Sequence, residues 1–231
     1  MIKKIFICLS LILFLTNISH CQNGFSKTYA FQISKKLSPY VFKVFDITPK
    51  NAGSYFDKTF IIDIYKSDST TLIQSIKYTI GTVWKELELN FRTDSSNVFL
   101  GEGNLLDVNF DGYKDLVLVS GIGAMGKNWC FDVYLFSVKD KKFHKSTKFS
   151  GFTNIELDPK KKIIKEHIDE GCASDCFTEN TYKVINNKPI IINSLIQDFD
   201  FKKKKLIAYF EKYKKGIVVF KKSVKASGDF Q

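Results

Sequence analysis

Apolar and polar positions alternate along most of this chain with a period of two, the signature of strands with one face buried. Runs of this kind cover 27–33, 40–47, 59–65, 71–79, 115–120 and 131–138. Further runs cover 162–168, 180–185, 189–196, 206–213 and 216–223. Their residues are mostly Ile, Val, Phe, Tyr and Thr, which suit a pleated surface. The breaks between them carry turn chemistry, as in Pro49-Lys50-Asn51-Ala52-Gly53, Lys66-Ser67-Asp68-Ser69, Lys139-Asp140-Lys141 and Asn186-Asn187-Lys188-Pro189. The segment 204–215, KKLIAYFEKYKK, also fits a short amphipathic helix; the strand reading is preferred.

Many short strands without intervening helical patterns predict an all-β fold, β-propeller-like or built of meandering antiparallel sheets. They disfavour a doubly wound architecture. No Pro/Gly/Ser-rich linker interrupts residues 22–231, so a single domain is expected there.

The first 21 residues read as an export signal. Lys3 and Lys4 precede the apolar run Ile5 to Leu15, which is too short for a stable membrane span. Cleavage after Cys21 would leave Gln22 as the new N-terminus, in a periplasmic or secreted protein. The rival reading attaches a lipid anchor at Cys21, but His20 stands where a small residue is usual. No later segment is apolar enough to span a membrane.

Export implies a compartment where disulfides persist. Cys172 and Cys176 are spaced for a small loop-closing bridge, with Cys130 pairing one of them as the alternative. A zinc site would need more ligands than His144 and His167 supply.

The formal charge is +11, and ten lysines but one glutamate fall within 201–225. Nucleic acid is not the expected partner, because export separates the two and arginine is scarce. An anionic envelope polymer or an acidic protein suits the charge better. A plainly solvated lysine face is the preferred reading.

The most ordered motif is DVNFDGYKD, residues 107–115. Asp107, Asn109 and Asp111 can converge on one point, Gly112 allows the sharp turn, and Tyr113 can offer its carbonyl. Asp115 stands at the ninth place. This is the ligand order of an EF-like Ca2+ loop. The twelfth place is Leu118 rather than Glu, and a strand follows instead of a helix. The ion is therefore expected to hold the fold together rather than to catalyse. The alternative is an Asx-rich turn without an ion.

The stretch from TLIQSI through DVNFDGYKDLVLVSG to NWCFDVYLFSVKDKKF resembles a family of exported bacterial immunity proteins. Its members neutralise lysozyme-like, peptidoglycan-hydrolysing effectors of type IV secretion systems. The likeness covers about residues 58–195 and includes the later KIIKEHIDEG…TYKV hairpin. It implies a β-propeller-like fold, one bound calcium, and a peptidoglycan hydrolase as partner. It further implies that a Ser-Gly loop with a nearby aromatic enters the catalytic cleft of that enzyme. The matching segment here is Ser120 to Trp129. Ser120 and Lys127 could meet catalytic carboxylates, Gly121, Gly123 and Gly126 allow close approach, and Trp129 or Tyr134 could anchor the contact. A glycine-rich hairpin without a partner reads equally well.

Catalysis by this chain itself is not expected. It has no nucleophile elbow and no HExxH. Glu86, Glu88, Glu166, Asp169 and Glu170 could supply a carboxylate pair, yet acidic residues beside lysines on strands usually form a solvated face. The alternative function is a calcium-stabilised envelope binding module that uses the basic C-terminal face.

Overall fold

A computed structural model describes residues 26–49, 55–84, 91–92, 103–123 and 126–226. The export signal, Cys21 and the pair Glu86 and Glu88 lie outside the described residues. The fold is all-β, as the alternation predicts. Among the described residues three sheets follow one another along the chain, their strands in sequence order, and none closes into a barrel. Among the described residues no helix is long and apolar enough to cross a membrane.

The first sheet contains β1 (Ser26–Phe31), β2 (Tyr40–Asp46), β3 (Tyr55–Tyr65) and β4 (Leu72–Trp84), in that order. The second contains β5 (Phe91–Arg92), β6 (Gly103–Leu106), β7 (Asp115–Gly123), β8 (Asn128–Ser137) and β9 (Lys142–Lys145). Its β5–β6 pair is parallel, and the others are antiparallel. The third contains β10 (Ile155–Asp158), β11 (Ile163–Gly171), β12 (Cys176–Val184), β13 (Pro189–Asp200), β14 (Lys205–Lys214) and β15 (Ile217–Val224). The segment KKLIAYFEKYKK is thus the strand β14, paired with β13 and β15.

The main core lies between the first two sheets. Phe42 of β2 and Phe143 of β9 meet with ring centroids 5.9 Å apart, and Tyr40 and Phe136 also meet at 5.9 Å. Burying such a side chain contributes about 1.5–3 kcal/mol. Polar groups fix how the two sheets face each other. The Gln74 side chain donates to the Phe143 carbonyl (2.8 Å) and accepts the Phe143 N–H (2.9 Å). The Tyr78 hydroxyl donates to the Val119 carbonyl at 2.6 Å.

Strand β7 shows why alternation fades where a strand is covered on both sides. Asp115 to Val119 are all buried, so the run is continuously apolar after its first residue. Strand β15 is the opposite case, exposed along almost its whole length.

The third sheet joins the second through residues 149–155. Phe131 N–H donates to the Phe152 carbonyl (3.1 Å), and Asn154 N–H to the Trp129 carbonyl (3.0 Å). Phe152 packs edge-on against Tyr182 at 4.9 Å.

Candidate functional site

Two local structures, one at each end of the β7–β8 hairpin, carry the polar chemistry of this region. At its base lies the loop 107–115. The Asp107 carboxylate accepts the N–H of Asp111 (3.0 Å) on Oδ1 and that of Gly112 (2.8 Å) on Oδ2. Asn109 Oδ1 accepts the same Asp111 N–H at 3.2 Å, so two expected oxygen donors already converge. Asp111 Oδ1 accepts the Tyr113 N–H at 2.9 Å. Phe110 and Gly112 take φ values of 60° and 91°, which curl the chain; Gly112 does so without a Cβ penalty.

Asp115 closes the loop and is fully buried. Its Oδ2 accepts the Val108 N–H at 3.0 Å, and its Oδ1 accepts the Phe136 N–H at 2.9 Å. Burial pushes the Asp115 carboxyl well above the usual range, and the charges of Asp111 and Asp107 add to the rise. Burial raises Asp107 too, with Asp111 again contributing. Like charges held together out of water cost free energy, which a divalent cation would offset.

Among the described residues no three His, Cys, Asp or Glu side chains form a ready-made cation cluster. Asn109 and the Tyr113 carbonyl, two of the five expected donors, are not of those types. Each bonded carboxylate oxygen keeps a further lone pair. The oxygen-only donor set and the 1-to-6 turn fit a hard cation.

At the hairpin's other end the strands run farther than the sequence suggests. β7 continues to Gly123 and β8 begins at Asn128, so most of the expected Ser120–Trp129 loop is strand. Ser120 sits where the register shifts between Val119 and Gly121. Gly121 pairs Cys130, and Gly123 pairs Asn128. Tyr134 lies toward the base, opposite Leu116, with its ring 6.4 Å from Tyr78. It therefore does not join Trp129 in one surface.

Lys127, Asn128 and Trp129 are instead docked on the third sheet. Asn154, buried at φ 45°, holds them. Its side chain donates to the Lys127 carbonyl (2.8 Å) and accepts the Trp129 N–H (2.9 Å). The Asn128 side chain donates to the Asp169 carbonyl (2.8 Å) and accepts the Asp169 N–H (2.9 Å). The Lys127 ammonium donates to Ser174 Oγ and lies 3.6 Å from Asp169 Oδ2. The Ser174 hydroxyl, then the Gly171 amide and Lys127, hold the Asp169 carboxyl below its usual range.

Ser174 is positioned by a tight turn. Cys172, Ala173 and Ser174 all take left-handed φ values of 51°, 57° and 77°. A disulfide joins Cys172 to Cys176 across it, the pairing expected from the spacing, and Cys130 is free.

Between the hairpin tip and β11–β12 lies a cleft of about 670 Å³, lined in part by Lys127, Trp129, Glu166 and His167. Most of its ionisable side chains have partners within the protein. Lys165 meets Glu156 at 3.3 Å, His167 meets Glu179 at 3.4 Å, and Lys127 meets Asp169. Glu166 is buried and accepts from Thr153 N–H (3.0 Å), Asn180 (3.1 Å) and the Tyr182 hydroxyl (2.8 Å). A carboxylate so occupied serves as a structural hub between β11, β12 and the 149–155 segment. Sequence reasoning offered Glu166 and Asp169 only as candidate acids. Asn154 and Asn128, which dock the hairpin, carried no sequence signal, because their partners lie 25 to 41 residues away.

No protein-family model matches the chain, and no curated protein matches it. A solved structure described as "Structure of a Xanthomonas Type IV Secretion System related protein" is similar in fold. It is 16% identical, with a TM-score of 0.56, over 87% of this chain and 99% of that chain.

Proposed function

We propose that this chain acts outside the cytoplasm as a calcium-stabilised binding protein that blocks a peptidoglycan hydrolase of the lysozyme type. It makes the contact with the tip of the β7–β8 hairpin and the adjoining cleft, and it performs no catalysis itself. The observation that carries this reading is the double anchoring of the hairpin. Asp115 clamps its base to β8, and Asn154 clamps its tip to the third sheet. A recognition element fixed at both ends loses little conformational freedom on binding. Half-exposed Lys127 and partly buried Trp129 are presented at that tip. The fold shared with a type IV secretion system related protein supports the same context.

Insertion of the whole Ser120–Trp129 segment into an enzyme does not suit this geometry, since most of it is strand. Contact by the tip, with Lys127 released from Asp169, does. Calcium would be held by Asp107, Asn109, Asp111, the Tyr113 carbonyl and Asp115, stiffening the hairpin's base.

The test is inhibition. Purified protein titrated into a panel of muramidases, including secreted effectors, should abolish activity of at least one near equimolar ratio. Trp129→Ala should weaken that inhibition by about tenfold or more, as loss of an aromatic anchor does. No inhibition across the panel would overturn the reading.

A further inference from the structure

We propose that β15 is a docking edge for an extended, acidic segment of another protein, which it receives by strand pairing. β15 is the last strand of the third sheet, and among the described residues no strand pairs with its outer side. Strand edges left open in this way template pairing with another chain, and native proteins normally shorten, twist or cover them. This one is eight residues long.

Its side chains are exposed as well. Ile217, Val219 and Phe220 are 69%, 59% and 46% exposed, and Val218 is exposed beside them. Four consecutive large apolar residues at an uncovered edge are unusual for a surface that meets only water. The strand is nevertheless well anchored on its inner side. It pairs with β14 from Lys214↔Ile217 to Ala208↔Val224. A two-residue turn at Lys215 and Gly216, with φ values of 54° and 78°, fixes the hairpin. The ion pair from Lys221 to Glu211 at 2.7 Å ties the two strands together. The edge is therefore preformed.

Charge selects the occupant. Lysines at 212, 214, 215, 221, 222 and 225 flank the apolar run, and no acidic residue lies between 212 and 225. A second copy pairing edge to edge would bring two strands whose only charges are basic to about 4.8 Å, with no carboxylate across the seam to meet the lysines. An acidic strand alternating with apolar residues meets both features. Its backbone pairs with the open groups, its apolar side chains cover the apolar residues of one face, such as Ile217 and Val219, and its carboxylates reach the lysines of the other, such as Lys222. A polyanion without such a backbone satisfies only the last.

Fluorescence anisotropy of labelled peptides against the purified protein tests this. A peptide of alternating valine and glutamate should bind, and one of alternating valine and lysine should not. The acidic peptide N-methylated along one edge should lose binding, because its side chains are kept and its strand pairing is not. Exchanging Lys214 and Lys222 together for glutamate should weaken the acidic peptide about tenfold without lowering the melting temperature. Hydrogen exchange should slow on binding at those amides of Ile217–Val224 that point away from β14. Equal affinity for the N-methylated peptide would mean a polyanion surface and overturn the proposal. Self-association of the protein alone, or no peptide binding at all, would overturn it too. Muramidase inhibition uses the β7–β8 tip, so either proposal can fail without the other.

Discussion

Asp115 accepts the backbone N–H of Phe136 at 2.9 Å, so the first side chain of β7 fastens the far part of β8. Its other oxygen accepts the Val108 N–H. One buried carboxylate thereby joins the acidic loop, the central strand and the hairpin strand. Asp115→Ala leaves two N–H groups without acceptors and should cost ~2–4 kcal/mol of stability. Asp115→Asn keeps one acceptor and should cost ~1–3 kcal/mol. Urea unfolding measures both. A loss for alanine no larger than for a surface substitution would refute the clamp.

The same carboxylate makes the calcium proposal measurable through pH. Without a cation, burial raises the carboxyls of Asp107 and Asp115 above their unfolded value of about 3.9. The folded protein then binds protons more tightly than the unfolded chain. Stability of the metal-free protein should therefore rise as pH falls through the raised folded values toward about 4. Bound Ca2+ holds the same groups ionised, so its stabilisation should fade over the same interval. At one hundred times Kd the ion contributes about 2.7 kcal/mol, or a melting shift of roughly 5–10 °C for a chain this size. Melting curves with calcium and with chelator should diverge near neutral pH and converge as pH falls toward the unfolded carboxyl value of about 4. Identical curves at neutral pH would refute the site.

Asn154 and Asn128 together dock the hairpin's tip, and Asn154 holds both Lys127 and Trp129. Asn154→Ala removes the bonds to the Lys127 carbonyl and Trp129 amide, and it leaves alanine at φ 45°. A loss of ~2–3 kcal/mol is expected. Asn154→Asp separates the contributions, since its oxygen still accepts the Trp129 amide while the donor to Lys127 is gone. Hydrogen exchange at Trp129 should quicken in the alanine variant and stay slow in the aspartate one. Fast exchange in both would mean that the acceptor is not what protects that amide.

These dependences separate what the sequence can reveal from what it cannot. The loop 107–115 is legible because most of its polar partners lie within seven residues, the exceptions being the Phe136 N–H and the Ile33 carbonyl that accepts from Lys114. Strand β2 is legible because the face carrying Tyr40, Phe42 and Val44 is buried while Lys43 and Phe45 on the other meet water more. The short strands β6 and β10 escape notice because four residues are too few to show a period. Ile217 to Phe220 reads like a buried strand, yet it lies at an open edge. Composition records affinity for a covered site, not whether this chain supplies the cover. The docking of Asn128 rests on the backbone of Asp169, 41 residues away, which no local pattern encodes.

The bridge between Cys172 and Cys176 offers the last test, because it restrains the turn that holds Ser174 against Lys127. Its loop is short, with a sequence separation of 4, so chain entropy assigns it only about 2 kcal/mol. Three consecutive left-handed residues inside that loop are costly for non-glycine side chains, and the bridge opposes their relaxation. Cys172→Ser with Cys176→Ser should thus lower stability by about 2 kcal/mol and loosen more than the turn itself. Freed from Ser174, the Asp169 carboxyl loses the first of the contacts that keep it acidic, so its titration should move upward. Carbon-detected NMR of the Asp169 carboxyl in oxidised and doubly substituted protein reads this directly. An unchanged titration would show that the turn keeps its shape, and Ser174 its contacts, without the bridge.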